Sequence, residues 1–144
     1  MKTILKRAPT LSVLAIAAVT LATACGGADH ADADLSTTRT SPSGLFTASY
    51  TPDVTPVPLR KLHTWTIEVR DRDGRPVDGA TLTVDGGMPD HGHGLPTQPA
   101  VREAIGGGRY VVDGMKFNMG GYWVVDVTVS GSAGKDTVRF ELML

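Results

Sequence analysis

Two histidines and a methionine lie close together in VDGGMPDHGHGLPTQP, a segment at residues 84–99 that is rich in glycine and proline. Met88 precedes His91 by three residues, and His93 follows His91 by two. A glycine-rich loop can fold tightly enough to bring three such side chains to one point. Imidazole suits copper or zinc, whereas thioether sulfur suits Cu(I) and is a poor ligand for hard cations. The segment is therefore a candidate site for a soft metal ion.

Other side chains extend this set of candidate ligands. Met115 and Met119 lie further along the chain in GMKFNMGGYW. His63 shares strand parity with Trp65 and so points to the buried side, where it becomes a third imidazole ligand if the loop folds over that end of the domain. Histidines with methionine favour copper, whereas the same histidines with Asp90 favour zinc or Cu(II). Copper is thus the preferred ion and zinc the less favoured one.

The same residues have a structural interpretation. Methionine commonly fills cores, and Met115, Phe117 and Met119 alternate as the inward residues of a strand would. A buried His63 would be satisfied by a hydrogen bond, and His91 would close the loop by bonding backbone carbonyls. On this interpretation the loop is a structured turn whose exposed surface binds a partner.

The elements that must position these residues are strands. From Leu45 onward, apolar and polar residues alternate with period two, as in strands with one buried face. The predicted strands are LFTASYTP, LHTWTIEVRD, ATLTV, VREAI, GGGRYVV, YWVVDVTVSG and TVRFELML. LFTASYTP is predicted to be an edge strand, because Pro52 ends it and a proline-rich segment follows. About seven short strands without helical periodicity predict an all-β fold, a single-domain immunoglobulin-like antiparallel β-sandwich over residues 45–144.

The N-terminus has the layout of a bacterial signal peptide. Its basic residues are Lys2, Lys6 and Arg7. The apolar run that follows, 11–21, is shorter than the roughly 20 residues of a membrane-spanning helix. LATAC resembles a lipobox, in which cleavage precedes a cysteine that then carries lipid. Residues 1–24 are therefore predicted to be a signal peptide and Cys25 the lipidation site; the alternative is a secreted protein with a free cysteine.

Between this cysteine and the strands, Gly26–Gly44 is small, polar and acidic. Such a composition buries too little apolar surface to fold, so residues 25–44 are predicted to be a lipidated cysteine with a flexible tether in which His30 is solvated. The protein would then be extracytoplasmic and lipid-anchored to the cell membrane. Because Cys25 is the only cysteine, lipidation would leave no thiol for metal binding.

Several function classes are disfavoured. The formal net charge is −1 and no basic stripe is present, which argues against nucleic acid as a partner. The glycines of GGGRY precede a strand rather than a helix, so they are not a phosphate-binding loop. No nucleophile elbow or paired carboxylates are recognisable, and a zinc hydrolase would need three protein ligands, an open position and a base. We therefore predict that the protein is not an enzyme.

Two long segments carry a family resemblance. DGRPVDGATLTVDGGMPDHGHGLPTQP and GRYVVDGMKFNMGGYWVVDV resemble the YtkA-like family, which is related to FixH-type extracytoplasmic domains. The resemblance extends over most of residues 45–144 and implies an exported, membrane-held β-sandwich. FixH-type relatives are associated with cytochrome oxidase assembly and copper handling. The ligands that the resemblance implies are Met88, His91, His93, Met115 and Met119.

The sequence thus predicts an exported, membrane-tethered metal-binding protein that handles or delivers copper through a Met/His loop. Its expected partners are the membrane, through the lipid anchor, and a respiratory or copper-transport protein. The lipid anchor in place of a transmembrane helix departs from FixH proper and weakens an oxidase-specific role. The alternative is a non-metal envelope interaction or assembly module whose His/Gly loop is structural.

Overall fold

The computed structural model describes residues 29–144. The predicted signal peptide, the lipidation site Cys25 and the first residues of the predicted tether lie outside this range. Within it, no helix has the length and apolar character needed to cross a membrane.

Nine β-strands make up the described part of the chain. They are β1 (Thr38–Thr40), β2 (Phe46–Pro52), β3 (His63–Asp71), β4 (Thr81–Met88), β5 (His93–Gly94), β6 (Ala100–Gly106), β7 (Arg109–Met115), β8 (Tyr122–Gly131) and β9 (Gly134–Met143). A single 3-10 turn, Pro89–His91, lies between β4 and β5. One sheet has the order β1-β2-β3-β7-β6 and the other β5-β4-β8-β9, and all of their pairs are antiparallel.

The two sheets enclose one hydrophobic core between them. In β3 and β8, buried residues alternate with partly exposed ones along the strand, as the period-two pattern predicts. Side chains from both sheets meet in this core; the Tyr50 and Phe140 rings, for example, pack edge-to-face with centroids 5.0 Å apart. The predicted all-β class and β-sandwich architecture are therefore confirmed.

The sandwich begins earlier in the chain than predicted. Thr38–Thr40, inside the predicted tether, forms β1 and pairs with β2. LFTASYTP is consequently an inner strand, and its prediction as an edge was wrong. The composition of this segment concealed the pairing, because β1 gains its stability from backbone hydrogen bonds and from polar contacts such as Thr40 Oγ1 to Thr47 Oγ1 at 3.0 Å rather than from burial.

The predicted loop after ATLTV is shorter than expected, because β4 continues to Met88. Gly86 and Gly87 lie within β4, where a Cβ atom would collide with the Val124 and His93 carbonyl oxygens respectively. These two glycines therefore permit close strand packing and belong to β4 rather than to the loop. Only residues 89–92 lie between the end of β4 and the start of β5.

Candidate functional site

The loop at the end of β4 brings His91 and His93 together. The 3-10 turn ends at Gly92, whose φ of 64° reverses the chain. His93 then pairs back onto Met88. The two imidazole rings lie nearly parallel, with centroids 5.7 Å apart and an interplanar angle of 16°. Both residues are exposed, so the pair is open to solvent.

Met88 lies beside this pair but belongs to the core. It is opposite His93 in the β4–β5 register, and residues opposite one another in an antiparallel pair have Cβ atoms about 4.5–5.5 Å apart. Its side chain is only 1% exposed. The methyl carbon reaches over Gly121, 2.9 Å from where a Cβ would stand. The loop thus combines two exposed imidazoles with a buried methionine that lies across the strand pair from His93.

Asp90 faces a different histidine. His30 Nε2 lies 2.7 Å from Asp90 Oδ2, and the His30 ring stacks on Tyr122 with centroids 3.6 Å apart. The prediction that His30 is a solvated tether residue was therefore wrong: its side chain is 19% exposed. Tyr122 provides a flat outward surface at the start of β8, and the stacking and the carboxylate contact together hold the segment that precedes β1.

The tyrosine of this cluster is electrostatically perturbed. Burial, and after it the negative charge of the Glu141 carboxylate, raises the pKa of Tyr122 above its ordinary value. Tyr122 is therefore a neutral phenol at physiological pH. No local pattern in the sequence marked this cluster, because His30, Asp90 and Tyr122 lie 32 to 92 positions apart in the chain.

Met115 and His63 lie in the other sheet. They are opposite one another in the β3–β7 register, and both are buried. The His63 ring packs against Phe117 and Trp65, with centroid distances of 5.6 Å and 6.4 Å. Its Nδ1 lies 3.3 Å from the Lys61 carbonyl oxygen, whereas its Nε2 is buried without a hydrogen-bond partner. The predicted burial of His63 is confirmed, but only one of its nitrogens is satisfied.

Met119 does not continue the inward alternation of Met115 and Phe117. Strand β7 ends at Met115, and Met119 is 38% exposed in the turn that leads to β8. Its carbonyl oxygen accepts a hydrogen bond from Trp123 Nε1 at 3.0 Å, which fixes the backbone of the turn. The prediction of an inward-facing Met119 was wrong.

Five of the seven predicted ligands fall into two regions, and Asp90 and Met119 belong to neither of them. We call His91, His93 and the underlying Met88 the loop site, and His63 with Met115 the interior pair. Among residues 29–144, no group of three or more His, Cys, Asp or Glu side chains is placed to hold a metal ion. A three-ligand site within this range would therefore need a donor of another type, such as methionine sulfur.

The described residues thus form an all-β sandwich domain with an exposed histidine pair at the loop between β4 and β5. A sequence model of the YtkA-like family matches residues 53–128, and the chain belongs to this family. The matched range includes the interior pair and the loop site. Neither the curated proteins nor the solved structures contain a match to this chain.

Proposed function

We propose that this YtkA-like protein is exported, tethered to the membrane through Cys25, and binds Cu(I) at the loop site in order to hold or deliver it. The observation that supports this most directly is the pairing of the His91 and His93 rings on an exposed loop. In this proposal copper is cargo rather than a resident cofactor, and the protein is not an enzyme.

The spacing of the two rings suits a shared ion. Metal–nitrogen bonds are about 2.0–2.1 Å long, so two imidazoles approaching one ion from opposite sides hold their centroids roughly 6 Å apart. The 5.7 Å separation of the His91 and His93 centroids is close to this value. Binding would require the two stacked rings to rotate until a nitrogen of each points at the ion, and the exposure of both rings leaves room for this rotation and lets a recipient protein reach the ion.

Methionine sulfur would make the site selective for a soft ion. Met88 lies opposite His93, and a rotation of its flexible side chain away from Gly121 would bring the sulfur towards the imidazoles. Met119 is exposed in the turn that precedes β8, and Gly121 of that turn lies against the methyl group of Met88. Thioether sulfur favours Cu(I) over zinc. Asp90, which would favour zinc, is occupied by His30.

The membrane tether and the recipient rest on the sequence. A lipid on Cys25 would hold the domain at the cell surface or in the periplasm, and would remove the only thiol that competes for copper. A respiratory or copper-transport protein in the same membrane is the proposed recipient. Exchange of Cu(I) between exposed imidazole and thioether ligands needs no change in oxidation state.

The test is copper retention by the purified full-length chain carrying Cys25→Ser, so that no thiol competes. The protein is loaded with Cu(I) under anaerobic, reducing conditions, freed of unbound metal and assayed for copper per chain. The double variant His91→Ala/His93→Ala should lose at least tenfold in affinity at the loop site. His30→Gln is the matched control, because it removes a nearby histidine but keeps a donor for Asp90. A loop affinity that is unchanged in the double variant would refute the proposal.

A second candidate function is favoured by exposed apolar side chains near the same end of the sandwich. Leu59 bridges to Phe117 and lies beside Gly120, and Leu62 is 67% exposed. Such residues suit an envelope interaction module that docks a partner protein. The two functions differ in their response to copper: binding to the native state raises the unfolding temperature by mass action. Loss of membrane-complex binding in Leu62→Asp, without any effect of Cu(I) on thermal unfolding, would favour the interaction module.

A further inference from the structure

His63 carries an unusual buried nitrogen. The residue is 5% exposed at the start of β3. A carbonyl oxygen can only accept, so the contact with Lys61 places the ring proton on Nδ1 and leaves a lone pair on Nε2. This Nε2 has no hydrogen-bond partner. Most buried polar atoms in proteins are hydrogen-bonded, so this exception calls for a physical reason.

The surroundings of this nitrogen are soft and aromatic. Met115 lies directly across the strand pair, and the rings of Trp65 and Phe117 flank the imidazole. The indole Nε1 of Trp65 is itself buried and unpartnered, so it does not satisfy His63. A thioether and two π-faces suit a soft monovalent cation better than they suit a proton donor.

The backbone of β7 is irregular just before Met115. Between the pairs His63–Met115 and Trp65–Val112, β7 contains one more residue than β3, which is a β-bulge. Gly114 lies within the bulge at φ 86°, a conformation that side-chain-bearing residues rarely adopt. Bulges recur beside functional sites, where they redirect a side chain.

A crevice that is open to solvent lies beside His63. Its volume is about 320 Å³, and His63 is among its lining residues. Asp53 and Asp113 contribute carboxylates to the lining, which attract cations. Arg102 neutralises Asp113 in part, since its guanidinium lies 3.0 Å from that carboxylate.

We infer that the interior pair is a second, buried Cu(I) site, with His63 Nε2 and Met115 sulfur as ligands and the rings of Trp65 and Phe117 around the ion. Metal-binding histidines characteristically donate their other ring N–H to a carbonyl or carboxylate, as His63 does to Lys61. This inference shares its ion with the proposed function but none of its residues, so either can fail alone.

The experiment isolates the interior pair by removing competing ligands. Full-length protein carrying Cys25→Ser, His91→Ala and His93→Ala is loaded with Cu(I) alone, freed of unbound metal and assayed for copper and tryptophan fluorescence. It should retain one copper per chain, with quenched emission from the adjacent Trp65. Adding His63→Leu or Met115→Leu should lower the affinity at least tenfold, whereas Met143→Leu, at an exposed methionine, should leave it unchanged.

The outcomes separate the two sites. One outcome is that copper retention is unaffected by the loop substitutions but is abolished by His63→Leu. This result would refute the loop site and support the interior pair. A background protein that is folded by circular dichroism yet holds no copper would overturn the interior pair. For variants that do not fold, nitrogen-15 NMR of the histidine side chains in protein carrying only Cys25→Ser replaces the substitution. Cu(I) should shift the His63 Nε2 resonance, and an unshifted resonance at saturating copper would overturn the inference.

Discussion

The loop site and the interior pair contain the same residue types, but their histidines lie in opposite environments. His91 and His93 are exposed to solvent, whereas His63 and Met115 are buried in the core, where aromatic rings pack against His63. An exposed imidazole exchanges water for metal at almost no cost to the fold. A buried imidazole with an unpartnered nitrogen costs stability until a ligand occupies it. Ligand chemistry alone therefore does not define a metal site. The environment of the ligands decides the cost to protein stability, the access of the ion and the rate at which the ion exchanges.

The largest expected contrast lies between two methionines. Met115→Ala should destabilise the protein by about 2–5 kcal/mol, because it removes a fully buried side chain and leaves a cavity. Met119→Ala should change stability by no more than about 0.5 kcal/mol, because its side chain is exposed. Urea unfolding of both variants measures the difference. Equal effects would mean that the division into interior and surface methionines is wrong.

For the histidines we expect a smaller difference in stability, and here replacing the buried residue should stabilise the protein rather than destabilise it. Without copper, His63→Leu should stabilise the protein by about 1 kcal/mol, since it removes a buried unpartnered nitrogen, and Lys61 is an exposed residue whose carbonyl water is expected to satisfy. His91→Ala should be close to neutral under the same conditions. Thermal and urea unfolding of the two variants test this. A destabilised His63→Leu would show that Nε2 makes a favourable contact and would weaken the case for a site there.

The smallest expected effect is a loss of stability at alkaline pH that arises from Tyr122, which lies with His30 and Asp90 beside the loop. The pKa of Tyr122 is raised, first by burial and then by Glu141. Its neutral form is therefore favoured in the folded state, and this contribution is fully present below the unfolded pKa of about 10 and is lost as pH rises through the higher folded value. Burial also raises the pKa of Tyr50, so both tyrosines weaken the fold above about pH 10.

Unfolding measured between pH 8 and 12 checks this expectation. Tyr122→Phe should have a slightly flatter stability profile above pH 10 than the parent, while the Tyr50 contribution persists in both proteins. A profile of Tyr122→Phe that falls as steeply as that of the parent would show that Tyr122 ionises as readily in the folded state as in the unfolded one.

Much of the fold was predictable from the sequence because it depends on local pattern. The alternation in β3 and β8 assigned Trp65 and Trp123 to the buried face correctly, since period two is a property of the strand itself. β1 was not predictable, because TRT carries no apolar pattern and pairs only where β2 offers an unpaired edge. The same reason explains the incorrect edge assignment of LFTASYTP.

The candidate site was predictable only in part. Spacing correctly suggested that His91 and His93 could meet, since Gly92 lies between them and a short turn suffices. Spacing did not indicate that Met88 is buried, that Met119 turns outward or that His30 reaches Asp90 from 60 residues away. Those positions depend on strand ends and on contacts between distant segments.

The all-β class, the YtkA-like family and the set of candidate soft-metal ligands could all be predicted from the sequence. These follow from residue type, from period two and from motif spacing, which are local properties of the chain. Which of those side chains lie close together depends on the tertiary structure. It placed His91 beside His93 at the surface and His63 opposite Met115 in the core. Strand register and burial produce that division, and both arise only when distant segments pack together.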